Sequence, residues 1–206
     1  MNETLILIFQ FIVLIFSVMV HEISHGFVAE RLGDKTARDA GRLTLNPLKH
    51  IDPFGSVILP LLLYIANTSI LFGWAKPVPY NPYNLKNPKT GGALIALSGP
   101  VSNFLIASVF GILVRILAPG TPLSLMFQIV VYINVLLGVF NLVPIPPLDG
   151  SKVLFGLLPA RMINPSVFAF IERNGMLLLV LFMFFGFGLI HPIINWIFGL
   201  LTGLAF

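Results

Sequence analysis

The residues best suited to chemistry are His21, Glu22 and His25, in the stretch "MVHEISHGFV" over residues 19–28. They match the pattern H-E-x-x-H. On a helix, positions four apart share a face, so two imidazoles can grip one metal ion, with zinc the usual occupant. Glu22 lies beside them and can serve as a general base toward water at the metal. Three fixed positions recur by chance in some proteins. Here, however, the pattern follows almost twenty apolar or uncharged residues, where ionisable groups are costly unless paired or bound. That cost weighs against the competing reading, in which the histidines merely pack in a helical bundle.

Zinc hydrolases of this kind use three protein ligands and leave the fourth position to water. The remaining candidates for a third ligand are few. Glu30, Asp34, Asp39 and Asp52 lie in or just before a polar loop and read as solvated, and His50 shares that loop. His191 is far along the last apolar region. Asp149 differs: it sits in "NLVPIPPLDGSKV", where the backbone must leave regular helix near the membrane. Irregular backbone at that depth is tolerated only where it lines a site or cavity. The local sequence fits equally well a cap or turn aspartate opening a short helix at 151–158.

The elements that must position these groups are membrane helices. Of 206 residues, 57% are hydrophobic and 10% charged, and the mean hydropathy is +0.95; a soluble domain carries about 25% charged residues. The apolar residues fall in long runs, the transmembrane signal. The expected class is an all-α integral membrane protein, a polytopic helical bundle with short extended loop segments, forming a single unit over 1–206. "MNETLILIFQ" lacks the basic start of a cleavable signal peptide. The absence of cysteine excludes disulfides and thiolate zinc sites. A net charge of +4 without basic–aromatic clusters argues against nucleic acid and fits loops on the cytoplasmic side.

Five apolar stretches are expected, at 4–29, 56–73, 91–118, 122–142 and 174–206, the last broken by Gly186, Gly188 and His191-Pro192. The second is short for a crossing, which needs about 20 apolar residues, and contains Pro60. Basic residues flank it on both sides, Arg31 to Lys49 before and Lys76 to Lys89 after, so it reads as re-entrant or interfacial. That topology puts 11 of the 12 basic residues on one side, with Arg115 alone on the other. It also brings the ends of the first and fourth stretches together, so His21, His25 and Asp149 can converge. This favours Asp149 as the ligand.

With these motifs in hand, the chain resembles the site-2 proteases, zinc intramembrane metalloproteases. "HEISHG", "LSGPVSNF" and "NLVPIPPLDG" carry the resemblance, and "NPLKHIDPFGS" and "GWAKPVPYNP" resemble segments of small prokaryotic members. It implies a three-helix catalytic core, one zinc on His21, His25 and Asp149, and Glu22 as catalytic base. It further implies cleavage of a substrate transmembrane segment near the cytoplasmic face of a prokaryotic cell membrane. PDZ and CBS domains, common in the family, have no counterpart here.

Further residues suggest positioning roles. The amide of Asn141 can orient the substrate backbone or steady an oxyanion, and Asn103 can do the same; the alternative for each is an interhelical hydrogen bond. The prolines of "GWAKPVPYNPYN" favour extended backbone, so Trp74, Pro77 and Val78 are candidates to pair with an unwound substrate as an added strand. An interfacial loop anchored by Trp74, Tyr80 and Tyr83 is the alternative. A zinc or proton-coupled transporter is the rival function. It is disfavoured because the polar residues gather at one end and the far half of each helix reads as bare.

Overall fold

The computed structural model describes residues 2–58, 61–62, 65 and 75–204. Among them, four helices are long and apolar enough to cross a membrane. Helix α1 (Glu3–Arg31) opens on Asn2, whose side chain accepts from Thr4 N–H at 3.1 Å, and ends with Gly33 at φ +109°. That left-handed backbone is open to glycine at little steric cost. A short helix α2 (Thr36–Asp39) follows.

Three of the later helices start in the same way. α3 (Pro88–Ile116) is capped by Asn87, α4 (Pro122–Asn141) by Thr121, and α6 (Pro165–Leu181) by Asn164, each with proline at the first helical position. The cap oxygen satisfies an orphan amide, and proline has none to satisfy there. This is why the last apolar region begins its helix at Pro165, upstream of the expected 174. α5 (Asp149–Leu157) is short.

The breaks expected at Gly186, Gly188 and His191-Pro192 do not interrupt the last span. A π-helical turn at Phe182–Gly186 joins α6 to α7 (Phe187–Thr202), and Pro192 lies inside α7. One widened turn absorbs the misfit that would otherwise end the helix.

α3 is the centre of the bundle, packing on α1, α4, α5 and α7. Ala107, Val131, Val135, Ile194 and Phe198 form its buried core. At the end remote from His25, Arg115 donates to the carbonyls of Leu200 and Leu201 near the end of α7, a favourable place for a cation.

At the opposite end the loops are held by two buried charged residues. Arg42 donates to the carbonyls of Lys49, Lys76 and Pro77. Asp34, wholly buried, accepts from Thr36 N–H and Oγ1–H, Asn81 N–H and Asn84 Nδ2–H at 2.5 to 3.1 Å. Burial pushes the Asp34 carboxyl up, but bonds from Thr36, Asn84 and Asn81 outweigh it and hold it below the ordinary value. Lys76 N–H also donates to the His50 carbonyl at 2.8 Å. The two flanks of stretch 56–73 therefore meet at one end of the bundle, whereas a single crossing would have parted them. The path of 56–73 itself falls largely outside the described residues.

Candidate metal centre

His21 and His25 lie in the last third of α1, one turn apart, and both are buried. Asp149, the first residue of α5, meets them from across the bundle. Its Oδ2 lies 3.0 Å from His21 Nε2 and 3.1 Å from His25 Nε2. Leu148 takes the cap position instead, so the Asp149 carboxylate faces the histidines and does not cap its own helix.

The hydrogen bonds behind the rings fix their tautomers. His25 Nδ1 lies 2.7 Å from the Ile95 carbonyl, which can only accept, so Nδ1 carries the proton. For His21 the same result comes through a relay. The Val130 carbonyl accepts from Asn134 Nδ2, so Asn134 Oδ1 accepts from Asn103 Nδ2 at 3.0 Å. Asn103 Oδ1 is then left to face His21 Nδ1 at 2.7 Å, and that nitrogen must donate. Asn134 also reaches Ser17 Oγ at 2.9 Å, closing a buried chain across α1, α3 and α4.

Both Nε2 atoms therefore present lone pairs, and so does the carboxylate oxygen between them. Lone pairs that face the Asp149 oxygen at 3.0 and 3.1 Å repel it unless a cation or proton sits among them. Tetrahedral zinc with ligands at 2.0–2.2 Å would space its donors by about 3.3 Å. The donor set thus fits zinc in chemistry and spacing, and neutral histidines donating from the remote nitrogen are how such ligands are usually oriented.

Gly99 on α3 makes the approach possible. A Cβ there would lie 2.5 Å from His21 Nε2 and 2.5 Å from His25 Cε1. Gly26 plays a similar part on the other side of α1, where a Cβ would meet Leu43, Val78 and Ala37 within 2.9 Å. These two glycines let α3 and the 75–87 loop close on the histidine turn.

Glu22 completes the group. One ligand atom from each of His21, Glu22 and His25 lies within 4.8 Å of the others. Its Oε2 accepts from Val78 N–H at 2.8 Å, so the loop backbone holds the carboxylate in place. The cavity here has a volume of about 160 Å³, and Glu22, Pro77, Val78, Asn141 and Lys152 line it with the three candidate ligands.

Most of the residues expected from sequence gather at this point. Asn141 lines the cavity with its Nδ2 donating to the Leu137 carbonyl. Asn103 does not line it: the side chain is wholly buried behind His21, so its contact is with that candidate ligand and not with the cavity. Trp74 lies outside the described residues. Tyr83, 93% exposed, stays apart from the cavity, whereas Tyr80 lines it.

Sequence reasoning missed Lys152, whose Nζ is 3.9 Å from Asp149 Oδ1 one helical turn on. It also missed the Asn134–Ser17 end of the relay and the loop anchor Arg42, and it read Asp34 as solvated, whereas that carboxylate is wholly buried among four donors. Only the Asp149–Lys152 spacing carried a local signal.

Comparison with known proteins points to one family. Residues 118–182 match the model of peptidase family M50. The candidate zinc metalloprotease YwhC of Bacillus subtilis is 41% identical over 173 residues, covering 78% of this chain and 75% of that protein. The candidate zinc metalloprotease MJ0611 of Methanocaldococcus jannaschii is 33% identical over 149 residues, 70% of this chain and 73% of that one. Zinc metalloprotease MJ0392 of the same organism is 27% identical over 207 residues, 90% of this chain and 50% of its own length. No solved structure matches the chain.

Proposed function

From the premise that this chain belongs to peptidase family M50, the zinc metalloproteases, we propose that it hydrolyses peptide bonds in or near the transmembrane segments of membrane proteins. The observation that carries this reading is the placement of Glu22. Its carboxylate lines the same cavity as His21, His25 and Asp149, at one end of four membrane-length helices.

His21, His25 and Asp149 would hold one zinc ion. When bound, zinc supplies Lewis acidity, polarising a carbonyl and making nearby water acidic enough to ionise near pH 7. Glu22 accepts the proton of the attacking water on its carboxylate. It returns that proton to the amide nitrogen as the C–N bond breaks, so the amine leaves neutral. The Val78 N–H keeps the carboxylate aimed throughout. Asn141 uses its second N–H on the substrate backbone or on the developing oxyanion. Non-helical residues 75–80, with Pro77 and Val78 on the cavity wall, offer an edge to an unwound substrate strand.

The chain sits in a bilayer with this end toward the cytoplasm of a prokaryotic cell. The basic residues support that orientation: 11 of 12 lie on the site side of Arg115. The test is Glu22→Gln in the reconstituted protein. It should retain zinc and lose cleavage of a co-reconstituted membrane substrate, and undiminished cleavage would remove Glu22 from the mechanism.

A further inference from the structure

The far half of the bundle was expected to be bare, and it is not. Between α1 and α7, floored by α4, lies a groove of about 390 Å³. Five hydrogen-bonding side chains face it: Gln10, Gln128, Tyr132, His191 and Asn195. Gln10 lies seven residues inside α1 and Asn195 seven residues inside the end of α7, each about 10 Å from its helix terminus. Lipid at that depth is hydrocarbon and offers no hydrogen bonds, so polar side chains there mark function.

Gln128, His191 and Asn195 do not simply tie the helices together. Gln128 Nε2 donates to Ser124 Oγ, and Asn195 Nδ2 approaches His191 Nδ1 at 3.4 Å, both within their own helices. The Asn195 Oδ1 atom is buried without a partner. Gln10 and His191 are exposed on the groove. Something that enters the groove must meet this set.

The groove and the catalytic cavity lie along the same two helices, α1 and α4. On α4, Ile133 lines the groove and Asn141 lines the cavity, joined through half-exposed Leu137 as one i±4 ridge. On α1, Gln10 and Glu22 are joined through Leu14 and Val18 at the same spacing. We infer that the groove is a specificity subsite, which selects a substrate transmembrane segment by one uncharged hydrogen-bonding side chain, Ser, Thr, Asn or Gln, in its far half. Once the Asn195 amide turns its Oδ1 into the groove, such side chains can donate to it while accepting from Gln10 or Gln128. This rests on the proteolysis reading, because the occupant is the substrate. Gln10 and Glu22 are twelve residues apart, about 18 Å along the helix. The polar residue therefore lies about 5 residues from the scissile bond if the segment between is extended and about 12 if it is helical.

The test uses the full chain carrying Glu22→Gln in nanodiscs, with a photoreactive residue in place of Ile129. The probes are synthetic Leu/Ala transmembrane peptides, one wholly apolar and a series with a single Asn moved along the far half. Peptides with Asn within one window should be captured about threefold to tenfold better than the apolar one, as interhelical hydrogen bonds in bilayers allow. That ratio should fall to about one in Asn195→Leu and in Gln128→Leu. Equal capture of all peptides by the Glu22→Gln protein overturns the subsite. So does a preference that survives both substitutions, or cross-linking of the groove to a second copy of the chain. Cleavage of the same peptides by protein with Glu22 intact is read separately. If binding is selective and nothing is cut, the proteolysis reading fails, and only the groove's preference for a polar transmembrane side chain stands.

Discussion

Gly99→Ala offers the most direct test of the metal centre, because one methyl group separates the imidazoles from α3. The added Cβ would stand 2.5 Å from His21 Nε2, His21 Cε1 and His25 Cε1. Ordinary carbon contacts lie at about 3.5–4.0 Å, so relief demands a shift of about 1 Å. Zinc ligands are positioned to about 0.2 Å. The rings cannot turn aside freely, because each Nδ1 is tied to Asn103 or Ile95 at 2.7 Å. We expect zinc affinity to fall at least 100-fold, beyond what loss of one supporting bond to a ligand usually costs, and proteolysis to fall with it. The overpacking should cost stability only about 1–3 kcal/mol, leaving the helical bundle folded. Gly92→Ala is the matched control. It also lines the cavity, two turns earlier on α3, but its Cβ would meet only Tyr80 Oη at 3.9 Å. Zinc content after dialysis against a graded chelator, with circular dichroism for fold, reads both. If Gly99→Ala keeps zinc as well as Gly92→Ala does, the close approach of α3 to the histidines is wrong.

Other outcomes follow from the same contacts. Asn103→Leu deletes the acceptor for His21 Nδ1 and strands Asn134, so zinc affinity should drop about 10–100-fold with the helices intact, read by competition with a fluorescent chelator. Asp149→Ala should abolish stoichiometric zinc binding by mass spectrometry, and full retention would exclude it as a ligand. Asp34→Ala leaves four donors without their acceptor and should loosen the 75–87 loop by about 3 kcal/mol, seen as earlier cleavage there in limited proteolysis. Because the folded Asp34 carboxyl titrates below the unfolded value of about 4, its contribution is complete above that value and is lost as pH falls through the folded one. Protection of the loop amides should therefore be flat from pH 8 to about pH 5 and decline only below about pH 4.

Much of this protein was legible along the chain. The long apolar runs dictate helices, because only a helix satisfies every backbone group within lipid. The Asn-Pro and Thr-Pro pairs at residues 87–88, 121–122 and 164–165 mark where three of them begin. The four-residue spacing of His21 and His25 is enough to propose a metal, since helical geometry alone puts them on one face. The distribution of basic residues even returned the flanks of 56–73 to one end of the bundle. What sequence could not supply was every relation between residues distant along it. Asp149 is 128 positions from His21, and its local sequence suited a cap as well as a ligand until the fold brought it to 3.0 Å. Asn103 carried the right chemistry for substrate contact, but the packing of α3 on α1 turned it toward His21. At Gly99 only the distance to the rings shows what the missing side chain makes room for. Gln10, Gln128, His191 and Asn195 are scattered over three helices, and each alone is an isolated polar residue in an apolar run. A helix fixes its own neighbours at three and four residues, and which faces then meet is decided by the packing of the whole bundle.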